Sequence, residues 1–333
     1  MWTVSENPPA EPSGKPPQWL AGWAGPEDEQ ALLALFRRAF GQDMPAALWR
    51  WKYPGPGFCG TVARRRDGRL VAFYGGIPRD IHLFGAPARA VQIGDVMVDP
   101  QERGVLTRHG PFFLAATHYL RQRVGRTKTF PLAFGFPSSR AYRLGEHLGI
   151  YANVGEILRI DWPALDARPS LWLRARPLDE TGAAAADRLW LEMAAALSRQ
   201  IVGVRDFAYL RRRYLEHPTL RYRVLLASKR LGGAPFGVVV VRELDGQLEL
   251  VDLVAPPERL AALAHLVRRL AFGLGKPRAY AWITARHAPL LAGETGAVSP
   301  ENIIVPALAW PQATPPADID GRWWLMGGDT DFH

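Results

Sequence analysis

Between Asp95 and Arg108 the sequence runs D-V-M-V-D-P-Q-E-R-G-V-L-T-R, an extended apolar stretch followed by a Pro-led turn. Backbone N–H groups converging in such a turn, ahead of a helix, suit an anion, because the helix dipole also favours negative charge there. Arg103, Gly104, Val105, Leu106, Thr107 and Arg108 would supply those donors. Glycines let a backbone come close to a phosphate; here Leu106 and Arg108 hold the later positions, and Thr107 and Arg108 could add side-chain donors. Just upstream, the main chain of Val96, Met97 and Val98 offers an edge on which an extended, amide-bearing ligand could pair. One N–H there could also support an oxygen that gains charge in a reaction. Asp95 is the nearest acidic candidate for a base, acting directly or through water.

Other chemistry is scarce. Trp49, Trp51, Tyr53 and Tyr74 could line a substrate cleft, or pack as core beside a Pro/Gly turn. The one cysteine, Cys59, lies in PGPGFCG with no base in view and is expected to be inert; it excludes an internal disulfide. His82, His109, His118 and His147 show no metal-ligand spacing, so no metal is expected. A net charge of +9 favours anionic partners. The clusters Arg64-Arg65-Arg66 and Arg211-Arg212-Arg213 lack the interleaved aromatics of a single-strand surface, which argues against nucleic acid. No apolar run of roughly 18 residues and no basic-then-apolar leader is present, so the expected home is cytoplasmic, without a membrane span.

The elements that must position these residues follow from periodicity. Leu32, Leu35, Phe36 and Phe40 repeat at helical spacing within 27–40, with acids in the opening turn. TVARRR and LVAFYGGI flank Asp67-Gly68, a tight-turn dipeptide, and ARAVQIGDVMV follows a second turn at FGAPA. Phe113, Ala116, Leu120 and Val124 predict a helix from about Gly110; FPLAFGF predicts a buried strand, then come a short helix from Ser138 and a strand near 151–160.

The second half repeats this order, with helices over 187–197 and 204–215, three strands, a Pro-led helix over Leu260–Leu270, and strands at AYAWI and IIVPALAW. V-D-P-Q-E-R (98–103) and V-A-P-P-E-R (254–259) share V-x-P-x-E-R at the same strand-to-helix junction, which predicts two copies of one α/β unit. The expected organisation is a disordered tail over 1–18, a first domain over 19–162 carrying the site, and a second over 163–333. Leu260 stands where Gly104 stands in the first copy. The second copy is therefore expected to wall a substrate cleft and to bind no anion of its own.

WRWKYP (49–54), DVMVDPQERG (95–104), FGFPSSRAYRLGEHLG (134–149) and GRWWLMGGDTDF (321–332) together resemble the GNAT N-acetyltransferase superfamily, and more narrowly its bacterial tandem-GNAT proteins. The resemblance implies an α/β (α+β) fold of two tandem GNAT-like domains, each a mixed, mostly antiparallel twisted sheet flanked by helices. It implies acetyl-CoA or another acyl-CoA as co-substrate, held where two parallel strands splay, and transfer to a small-molecule or peptide amine. The diphosphate would meet residues 103–108, and the pantetheine arm residues 96–98. The superfamily's N-x-x-A-x-x-L-Y-x-x-x-G-F run is matched at Ala141, Leu144 and Gly149, but Gly145 holds the place of the tyrosine that protonates the leaving thiolate. Tyr142, three residues earlier, is the candidate substitute. Two other readings stay open: a catalytically silent protein of this fold, and a Fem-like transferase using aminoacyl-tRNA.

Overall fold

The computed structural model describes residues 18–55, 60–104, 109–166, 173–230 and 232–330. The first half opens with β1 (Trp19–Trp23), followed by α1 (Glu29–Phe40) and α2 (Ala46–Lys52). Then come β2 (Gly60–Arg65), β3 (Leu70–Leu83) and β4 (Ala86–Val98), an antiparallel meander to which β1 adds. α3 (Pro111–Arg123) leads to β5 (Leu132–Gly135), parallel to β4, and α4 (Ser139–His147) leads to β6 (Tyr151–Pro163). α1 buries Leu32, Leu35 and Phe36 and stops at Gly41, whose left-handed φ of 73° caps it. The period of two divides the meander between layers: Val62, Phe73 and Met97 face α1 and α2, whereas Ala63 and Tyr74 face α3.

The second half comprises β7 (Leu173–Pro177), α5 (Ala183–Ala196), β8 (Ile201–Gly203) and α6 (Phe207–Leu210), prolonged by a π-turn over Arg211–Leu215. β9 (Arg223–Lys229), β10 (Pro235–Leu244) and β11 (Gln247–Val254) form its meander. α7 (Leu260–Gly273), β12 (Arg278–Thr284), α8 (Ala288–Ala292), β13 (Ala297–Leu308), α9 (Pro316–Ile319) and β14 (Trp323–Trp324) complete it. Val238 to Val241 are fully buried, as expected of an apolar run covered on both faces. No helix among the described residues is long and apolar enough to cross a membrane.

The main sheet runs β1-β2-β3-β4-β5-β13-β6-β12-β11-β10-β9-β7. From its centre outward the order is symmetric, and β4–β5 and β11–β12 are both parallel pairs. The repeat read from V-x-P-x-E-R is thus present in the topology. The final strands cross over: β13 lies between β5 and β6, and β6 pairs with β12. Each half's sheet is completed by a strand of the other, so the 162/163 division follows the sequence repeat and not a break in the sheet.

In the second half β11 and β12 pair only from Gln247↔Arg278 to Leu250↔Ala281. Beyond that point the chain's own C-terminal segment fills the gap: Met326 bridges Ile283, and Thr284 N–H donates to the Leu325 carbonyl at 3.0 Å. Asp329 pairs with the fully buried Arg205 and, at 2.9 Å, with Arg79 of β3; Arg205 also meets Asp252 of β11 at 3.0 Å. Burial works against the Arg205 charge, but Asp252 and Asp329 outweigh it and hold the guanidinium protonated. Gly328 is required here, because a Cβ would lie 2.0 Å from the Tyr214 hydroxyl.

Asp329→Ala leaves two interior guanidinium groups short of a carboxylate, and should cost about 3–5 kcal/mol in urea unfolding. An unchanged midpoint would show that this clip contributes nothing to the fold. Burial, aided by Arg213 and Arg242, pushes His217 down to about 4, and burial with Arg286 does the same to His287. The unfolded chain takes up these protons near about 6.5, so the folded state should lose stability as pH falls from there toward 4. In His217→Gln that loss should shrink; an equal loss would remove His217 as a cause.

Candidate active site

β4 pairs with β5 only from Ala90↔Leu132 to Ile93↔Gly135. A Cβ at Gly135 would stand 2.8 Å from the Ile93 carbonyl oxygen, so glycine permits this last contact. Immediately afterwards β4 carries an extra residue. Gly75 faces Gly94 but Phe73 faces Met97, leaving Asp95 and Val96 together opposite Tyr74. Such a bulge bends its strand and ends pairing. Asp95 sits at the bend with φ 49°, a left-handed conformation that aspartate tolerates better than most residues.

Lys52 Nζ lies 2.6 Å from Asp95 Oδ2, and the Tyr53 hydroxyl donates to the same oxygen at 2.8 Å. The Lys52 and Asp95 side chains are only 7% and 8% exposed. The end of α2 is thereby bolted to the bulge. An ammonium and a phenol already engage the carboxylate, so Asp95 is arranged as an anchor more than as a free base.

Past the bulge β4 leaves β5. Asp99 N–H donates to the Val71 carbonyl at 2.8 Å and Met97 lies opposite Phe73, so strand alternation turns the main chain of Val96 and Val98 toward the gap. Met97 itself points into the layer under α1. The gap opens into a cavity of about 1230 Å³, above the usual range of roughly 300–1,000 Å³ for one ligand. One wall is Gly94, Val96 and Val98; the facing wall is Phe136, Pro137 and Ser138, with Pro111 and Phe112 of α3 closing one end. His217 and Leu220 of the second half also line it, as do Pro306 to Leu308 of the crossed-over β13. His217 Nδ1 accepts from Thr219 N–H at 3.3 Å and Leu220 N–H at 3.0 Å, which leaves the ring proton on Nε2.

Arg103 reaches the cavity, but its guanidinium is already tied, from Nε to the Val98 carbonyl at 3.1 Å and from Nη2 to the Ala39 carbonyl at 2.7 Å. It fastens α1 to the strand end; Arg259, its counterpart in the repeat, likewise donates to a carbonyl, that of Phe236. Gly104 has open space where a Cβ would be. Val105, Leu106, Thr107 and Arg108 lie outside the described residues, as does Cys59.

Of the four aromatics, Trp51 lines the cavity; its Nε1 donates to the Arg212 carbonyl at 3.1 Å and its ring lies 4.5 Å from His217. The cleft-lining expectation is corrected for the other three. Trp49 lies about 200° around α2 from Trp51 and packs with Tyr53 and Phe73 beneath α1, while Tyr74 is fully buried beside Tyr119. Tyr142 is also corrected as a cleft acid: its hydroxyl donates to Glu146 at 2.7 Å, and it is absent from the cavity wall. Another tyrosine lies over Gly145. A Cβ at Gly145 would meet the Tyr151 ring at 2.1 Å, so Tyr151 of β6 occupies the space over a helix position that has no side chain. Tyr151 lines the cavity, and its hydroxyl lies 3.4 Å from that of Tyr74. Burial pushes its phenol up to about 12, against the pull of the Tyr74 hydrogen bond. Sequence reasoning missed Tyr151, Lys52 and His217; Gly145 was the available signal for the first. Among the described residues no three His, Cys, Asp or Glu side chains gather as a metal site.

A sequence model described as an acetyltransferase (GNAT) domain matches residues 24–144, from the end of β1 into α4. No curated protein matches the sequence. The fold is similar to GCN5-related N-acetyltransferases from Anabaena variabilis (15% identity, TM-score 0.65, covering 87% of this chain and 72% of that one) and Kribbella flavida (19%, 0.63, 87% and 70%). It is also similar to N-myristoyltransferase of Saccharomyces cerevisiae, solved with bound myristoyl-CoA, at 13% identity and TM-score 0.54, over 97% of this chain and 94% of that one. Residues 24–144 therefore match a GNAT acetyltransferase domain, and the chain shares its fold with GCN5-related N-acetyltransferases.

Proposed function

We propose that the protein transfers an acyl group from a CoA thioester to an amine at a single site in its first half. The observation that carries this reading is the parting of β4 from β5 after Ile93↔Gly135, which opens a cavity with room for two reactants. The main chain of Val96 and Val98 suits the amides of a pantetheine arm, as an exposed strand edge suits any extended ligand. The donor supplies an activated acyl carbon; the chain's residues orient it and manage charge and protons. An N–H near Val96 would support the carbonyl oxygen as charge develops. Trp51, Leu220 and neutral His217, with its Nε2–H donor, form the acceptor side, so the acceptor is an amine with an apolar body and a hydrogen-bond acceptor. Among the described residues of the second half, the segment around Leu325 and Met326 fills the matching splay.

Tyr151 takes the leaving-group side in this proposal. A phenol held near 12 stays protonated at physiological pH, and so offers the departing sulfur a hydrogen bond. The silent alternative draws on Gly145 and Leu106, and the Tyr151 ring supplies a reason for the glycine. Asp95 is a positioning residue that keeps the bulge bent.

Calorimetric titration with acetyl-CoA and longer acyl-CoAs, followed by turnover on a panel of amines, tests the reading. Binding and acylation are expected; a folded sample that binds no acyl-CoA would refute it, and binding without turnover would favour the silent alternative. Tyr151→Phe keeps the ring over Gly145 and should lower kcat by about 10²-fold, near the low end for a positioned proton donor. That loss should shrink with donors whose thiol is more acidic, and an equal loss with all donors would exclude the role. Asp95→Asn strands a buried ammonium and should cost about 3–5 kcal/mol, whereas Asp95→Asn with Lys52→Met should recover most stability and turnover. A stable but inactive double variant would make Asp95 the base after all.

A further inference from the structure

Arg140, Arg143 and His147 fall within about 60° of one another around α4, and all three are exposed and line the cleft. The opposite face of α4 carries the buried Tyr142 and Gly145 against the rest of the fold. Other charges at the cavity are already compensated: Lys52 by Asp95, Glu102 by Arg65, and Asp43 by Arg37 at 3.5 Å. Arg103 is tied to two carbonyls. Among the described residues no ion pair engages Arg140, Arg143 or His147. The cleft therefore has one strongly cationic wall.

A second observation says what that wall faces. The helix end across the cleft, α3, begins at Pro111, which brings no N–H to its first position, and Leu114 N–H is taken by the Gly110 carbonyl at 3.0 Å. Phe112 and Phe113 carry the other N–H groups of that first turn, and the sequence before it has Leu106 and Arg108 where glycines would allow close approach. An anion lodged at this end of the cleft would meet the start of α3 on one side and two guanidinium groups of α4 on the other. Guanidinium forks match phosphate oxygens in pairs.

We propose that the Arg140–Arg143–His147 face of α4 is a phosphate subsite that grips the phosphorylated nucleotide end of the donor, in place of a glycine-rich loop. This rests on the acyl-CoA reading above and specifies where its charge is neutralised. Both arginines are exposed, so Arg140→Ala with Arg143→Ala should fold as the parent does, which circular dichroism checks.

The test compares acetyl-CoA, acetyl-dephospho-CoA and acetyl-pantetheine as donors for the parent and the double variant. The variant should bind acetyl-CoA roughly 10- to 100-fold more weakly, as expected for losing one or two charge-assisted hydrogen bonds. Its KM for acetyl-pantetheine, which carries no phosphate, should be unchanged, and its acetyl-CoA affinity should depend less steeply on salt. Unchanged acetyl-CoA affinity in the variant, with the parent binding normally, would overturn the subsite and leave the proposed function standing. An equal loss for acetyl-pantetheine would overturn it too, by making the arginines structural. If the parent binds none of the three donors, the acyl-CoA reading fails and the subsite with it.

Discussion

One extra residue in β4 makes the cleft. Parallel neighbours that stay in register close their own edge with hydrogen bonds, and β4 and β5 do so up to Ile93↔Gly135. The bulge at Asp95 and Val96 then swings β4 away. Asp95 stands in the bend at a left-handed φ of 49°, 2.6 Å from Lys52 Nζ. Breaking such a buried pair costs far more than an exposed ion pair contributes. The same contact ties α2 to the sheet, so one interaction sets both the cleft's width and the position of Trp51 at its rim.

The duplicated sheet carries this device twice and uses it in two ways. β11 also bulges, between the partners of Val240 and Val241, and also parts from β12 after four residue pairs. There the chain's end is drawn in and locked by Asp329, Arg205 and Asp252. A buried plug held by these ion pairs removes a cavity that would otherwise cost stability. The exchange of β6 and β13 has a related effect, since β13 forms part of the first half's cavity wall. The second half thus works as a wall and a brace for the first.

Much of this architecture was legible in the sequence, because periodicity reports which face of an element is buried. α1, the meander turns at Asp67-Gly68 and Phe84-Gly85, and the strand–helix order from β2 to β6 and from β9 to β12 follow from it, whereas α2, β7 and β8 do not. β1 was not legible: five residues, WLAGW, have no signal apart from their partners Thr61 to Arg65. Neither the crossing of β13 nor the burial of Leu325 to Thr330 could be read, because both depend on pairing between distant segments. At the candidate site, the sequence shows the strand end but not the contacts its charges make. Asp95 meets Lys52 and Tyr53, and Arg103 the carbonyls of Val98 and Ala39, partners that a sequence does not show. Tyr142 was chosen for its nearness along the chain, whereas Tyr151 comes from the next strand and meets the helix in space over Gly145.

The central claim is that the opened edge of β4 is where the donor lies. Amide hydrogen exchange across Gly94 to Val98, with and without acetyl-CoA, tests it most directly, because unpaired edge amides exchange freely and paired ones do not. Slowed exchange at Val96 and its neighbours, with Leu250 to Val254 unchanged, is the result this account predicts. Protection confined to β11, or acetyl-CoA binding that leaves β4 untouched, would contradict it.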